Sequence, residues 1–128
     1  MLTITSKIQM DRCRKEINML TAEQMMNTTY LNTTTERLAA WEDDITREVN
    51  AANEGRSKEN KIDVNDVIDE MKRTDEVYLK LTAYSSAFET RNASIDSELK
   101  LLNEEMETFQ KEHQSGIEND TSFWCFGG

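Results

Sequence analysis

Met71, Tyr78, Ser85, Asn92, Leu99, Met106 and His113 recur at every seventh position, and Leu81, Phe88, Ile95, Leu102 and Phe109 form a second row three residues further along. Paired rows at this spacing are the a and d positions of a helix that lies against another helix, so residues 63–115 are expected to form one helix with a narrow apolar stripe. The chain has no proline to interrupt it. At 1.5 Å per residue, a helix of roughly fifty residues is about 75 Å long. Such a stripe cannot be covered by its own helix and requires a partner.

Residues 6–53 supply that partner. Met10, Ile17, Gln24, Leu31, Leu38, Ile45 and Ala52 form one row, and Cys13, Leu20, Asn27, Thr34 and Trp41 the other. Ser6 suits the N-cap of this helix and Gly55 its C-terminal end. The stretch 27–35 is rich in threonine and asparagine, which are poor helix formers. Leu31 and Leu38 keep the register across it, which favours continuity. Residues 54–62 are polar and read as a turn, with Asp63 or Asn65 capping the second helix. A link this short brings neighbouring helices together antiparallel.

The expected fold is therefore all-α: a long antiparallel two-helix hairpin of coiled-coil type, forming one domain and ending in an aromatic tail at 116–128. If the numbers of facing residues sum to about 116, one register pairs Met10 with Met106, Gln24 with Asn92 and Ile45 with Met71. Gln24, Asn27, Ser85 and Asn92 then gather into a polar layer near the middle. Buried amides of this kind cost stability and penalise a shifted register.

Composition narrows the function. Charged residues make up 31% of the 128 and hydrophobic residues 37%, which suits solvated helices with a thin core. The formal net charge of −10 would repel nucleic acid and anionic membrane surfaces. No stretch approaches the ~20 apolar residues that a bilayer span needs. The first residues lack the apolar core of a cleaved signal. The expected location is the cytoplasm, or outside the cell after export by a signal-independent route. Cys13 and Cys125 are too far apart in the sequence to form a metal-ligand motif or a disulfide framework.

Catalytic and cofactor readings find no support in the sequence. His113 is the single histidine, and no second soft or imidazole ligand accompanies it. Adjacent acids such as Asp43 with Asp44, or Glu104 with Glu105, point in different directions on a helix. Glycine-rich phosphate loops and nucleophile motifs are absent. Asn27, Asn32, Asn92 and Asn119 begin N-x-Ser/Thr sequons, but on helical seams these are poor glycan acceptors. No enzyme, cofactor or metal site is expected.

Apolar residues outside the seam carry the functional signal. Met19, Met25, Met26 and Tyr30 on the first helix, with Val77 and Tyr84 on the second, extend beyond what one partner helix covers. Part of this surplus widens the intramolecular stripe toward three residues per heptad. The remainder points to further helices from other copies, for which the flexible thioether of methionine is well suited. Phe123, Trp124 and Phe126 place three aromatics within four residues near the end of the chain, a composition typical of interface anchors.

In its acidic composition, two long antiparallel helices, polar turn and seam-bearing ends, the chain resembles the helical-hairpin needle and filament subunits of type III secretion systems. The resemblance is one of architecture and spans most of the chain. It implies that residues 6–20 and 99–126 pack against other copies in a helical tube. Secreted hairpins of the Trp-x-Gly type are less similar, because Trp41 is followed by Glu42 and Asp43. Two functions are thus expected to compete: a self-assembling structural subunit, forming a filament or other homo-oligomer, and a soluble chaperone or adaptor that binds an amphipathic helix of a partner protein.

Overall fold

The computed structural model of the chain describes the backbone of residues 2–127 and the side chains of residues 3–117. The fold is all-α. Its helices are α1 (Leu2–Asn53), α2 (Val64–Thr74) and α3 (Glu76–Gly127), and no strand occurs among the described residues. They contribute to two compact units, one built from Met1–Met26 with Asn92–Gly128 and the other from Asn27–Arg91.

In the first unit the start of α1 packs on the later part of α3. Met10, Cys13 and Met106 are buried together, with Leu102 and Phe109 against them. Ile95, on the d row, is completely buried. The end of this unit departs from the expected boundaries. Ser6 lies inside α1 and is only 1% exposed, rather than capping it at the surface. Likewise, Gly116 lies inside α3, where a non-helical tail was expected to begin. The two helices approach closely here. A Cβ at Gly116 would stand 2.7 Å from Thr3 Cγ2, so a larger residue there would force the Thr3 side chain to shift. One turn earlier, His113 Nδ1 lies 3.1 Å from the Thr3 carbonyl oxygen. Both helices thus run past the ends expected from the sequence, and they stay in contact there.

In the second unit the later part of α1 packs on α2 and the start of α3. Ile45, Val49 and Ile68 are buried, with Trp41, Val64, Val67 and Met71 against them. Trp41 and Tyr78 meet at 4.8 Å between ring centroids and 33° between planes, and Lys72 Nζ lies 5.9 Å from the Tyr78 centroid. The threonine-rich stretch remains helical: Thr33, Thr34 and Thr35 each donate to the carbonyl four residues back, satisfying their hydroxyls within the helix. Gly55, at φ +77°, turns the chain just after α1. Asn53 then closes the loop, donating Nδ2–H to the Ile62 carbonyl and accepting from the Ile62 amide, both at 2.8 Å. Asp63 caps α2 by accepting from the Asn65 amide.

The second half of the chain is not one helix. At Asp75 the backbone becomes extended, with φ −75° and ψ 121°. Its amide donates to the Met71 carbonyl, ending α2, while its Oδ1 accepts from the amides of Val77 at 2.8 Å and Tyr78 at 3.1 Å, starting α3. Lys72 and Arg73 in the last turn of α2 and Glu76 in the first turn of α3 each match the sign of the adjoining helix end. Replacing Asp75 with alanine removes the cap and should cost about 0.5–2 kcal/mol. A urea unfolding midpoint would measure the loss. An unchanged midpoint would mean that the break does not depend on this side chain.

Candidate assembly surface

Six off-seam apolar residues named from the sequence are all exposed on helices. In the first unit Met19 is 72% exposed, and Met25 and Met26 are also largely open. Met19 and Met26 lie seven residues apart and so share one face of α1. In the second unit Tyr30, Val77 and Tyr84 are exposed, with Val77 and Tyr84 seven apart on α3. A large apolar side chain left in water forgoes the roughly 1.5–3 kcal/mol that its burial would contribute.

Other exposed apolar residues escaped the sequence reading. Ile4, Ile8, Leu79 and Leu101 are open as well. None lies on the two seam rows of its helix, so scoring every apolar residue by heptad position would have found them. Leu101 borders a shallow cleft of about 240 Å³ in the first unit, together with Leu20, Leu102 and the acidic Glu16, Glu98 and Glu105.

A larger groove, of about 390 Å³, lies in the second unit. Tyr30 and Arg37 line it from α1 with the threonines at 29, 33 and 34; Leu81, Tyr84 and Phe88 line it from α3. The Tyr30 ring stacks on Phe88 at a centroid separation of 5.3 Å. Leu81 and Phe88 are seam residues, and Tyr30 and Tyr84 flank them, so the groove is the open side of the α1–α3 contact.

The four polar seam residues divide between the units. Gln24 is half-buried and donates to the Asn92 carbonyl at 3.4 Å and to the Asp96 carboxylate. In the second unit Asn27 is buried and its Nδ2 has no hydrogen-bond partner, while Ser85 is half-buried. A buried unsatisfied amide costs about 1–3 kcal/mol. Phe123, Trp124 and Phe126 fall outside the residues whose side chains are described.

Burial pushes the Cys13 thiol up, and the nearby carboxylates of Glu105 and Glu16 push it further, so it stays protonated and weakly nucleophilic at neutral pH. Among the described residues, no group of three or more His, Cys, Asp and Glu side chains could hold a metal ion, and no helix is long and apolar enough to cross a membrane. Comparison with known proteins finds no matching family and no similar curated protein or solved structure.

Proposed function

We propose that this chain is a non-enzymatic structural subunit that assembles with copies of itself, through its helix faces, into a filament or other homo-oligomer. In this reading the subunit works as a long antiparallel hairpin, like those of type III secretion needles, and export by such a route belongs to the same proposal. The observation that carries it is the exposure of large apolar side chains at heptad spacing, Met19 with Met26 and Val77 with Tyr84. Contiguous exposed apolar surface of this kind is a common feature of protein contact sites, and methionine adapts to repeated, imperfectly matched ones. The acidic surface opposes indiscriminate clustering, so assembly would depend on these apolar faces.

Replacing both Met19 and Met26 with glutamine tests the reading. Glutamine has nearly the same helix propensity and adds no charge, so the subunit should keep its circular dichroism. The assembled fraction seen by sedimentation should fall at least about tenfold, equivalent to about 1.4 kcal/mol per contact. Unchanged assembly would remove this face from the mechanism.

A further inference from the structure

We infer that the groove of the second unit receives the aromatic segment Phe123–Phe126 of a second copy of the chain; this rests on the assembly reading above. The groove's volume, about 390 Å³, is comparable with the roughly 300–1,000 Å³ of pockets that hold small molecules, ample for large side chains to lie along it. Its walls are aromatic and aliphatic, with Tyr84 57% exposed and Tyr30 46% exposed beside the opening. Aromatic rings entering such a site can stack as Tyr30 and Phe88 already do.

Charge selects the occupant. Arg37 is the only charged side chain among those lining the groove, in a chain whose net charge is −10. Most surfaces of a second copy would therefore be repelled by the surroundings, and a segment combining acids with aromatics would be drawn to this point. The sequence Glu118-Asn-Asp-Thr-Ser-Phe-Trp-Cys-Phe126 has that combination: Glu118 and Asp120 precede three aromatics in four residues. The guanidinium can pair with a carboxylate or lie against the indole face.

Cys125 allows a test with full-length chains. Chains carrying Thr33→Cys and Cys125→Ser are mixed with unmodified chains, oxidised, and mapped by mass spectrometry for a linkage between positions 33 and 125, which can form only between copies. Because a disulfide requires Cα atoms within about 7 Å, the expected yield is roughly tenfold above that of a Met19→Cys, Cys125→Ser control. Adding Arg37→Glu to the receiving chain should cut the yield about tenfold. Equal linkage to the control position, or a yield unaffected by Arg37→Glu, overturns the inference. Sedimentation of the same mixture separates the two claims: assembly without the linkage refutes the groove alone, whereas the linkage without larger particles supports the groove and refutes the filament.

Discussion

Ile95→Ala is expected to destabilise the chain by about 2–5 kcal/mol, a large part of the 5–15 kcal/mol typical of a folded domain. Ile95 is completely buried, the most fully enclosed large side chain among those described. Two packed helices have few layers with which to fill a void, so the cavity left by truncation cannot be shared widely. Urea unfolding followed by helical circular dichroism gives the measurement. Loss of less than about 0.5 kcal/mol would mean that the site collapses freely, which is inconsistent with a close-packed seam.

Deleting Ser122–Gly128 should abolish or sharply weaken assembly while reducing helix content only by the residues removed. The seam rows already pair α1 with the other helices, through the Met10, Cys13 and Met106 cluster in one unit and the Ile45, Val49 and Ile68 cluster in the other. Phe123, Trp124 and Phe126 follow the last residues of those rows. Each large aromatic buried against a neighbour contributes roughly 1.5–3 kcal/mol before the cost of ordering is subtracted. Multiplied by three anchors per contact, this is enough to decide between polymer and subunit. Particle size and circular dichroism on one truncated sample separate the possibilities. Normal assembly would exclude the segment from the mechanism, and a broad loss of helicity would assign it to the subunit's own packing.

The heptad rows made much of the architecture legible because their apolar spacing repeats over many turns. Met10 joins Met106 in one buried cluster, Ile45 joins Met71 in another, and Gln24 reaches the Asn92 backbone. These contacts are the pairings expected when facing numbers sum to about 116. Features set by a single side chain or a distant contact were harder to read. The break at Asp75 is marked only by Lys72 and Arg73 before it and Glu76 after it, a charge pattern suited to two helix ends. The heptad seam, unbroken from Met71 to Tyr78, carried the expectation of one continuous helix across this point. The tail was expected to begin at Gly116, but there α3 continues and passes close to Thr3, more than a hundred residues away in sequence. Continuity through Thr33–Thr35, expected from Leu31 and Leu38, holds although the threonine hydroxyls bond back within the helix.

The exposed apolar faces were partly legible for the same reason. Met19, Met26, Val77 and Tyr84 stand out because they leave the seam rows at heptad spacing, and all four are exposed. The groove was not legible. It depends on Tyr30 and Arg37 of α1 lying opposite Leu81, Tyr84 and Phe88 of α3, a juxtaposition that requires the register and the side-chain directions together.

Sedimentation velocity of the unmodified full-length chain, at increasing concentration and physiological salt, tests self-assembly most directly. Growth with concentration into large, regular particles, visible as filaments or closed rings by electron microscopy, is the predicted result. A single small species with unchanged sedimentation across the concentration range would contradict it, and would favour an adaptor that reserves its exposed helix faces for a different protein.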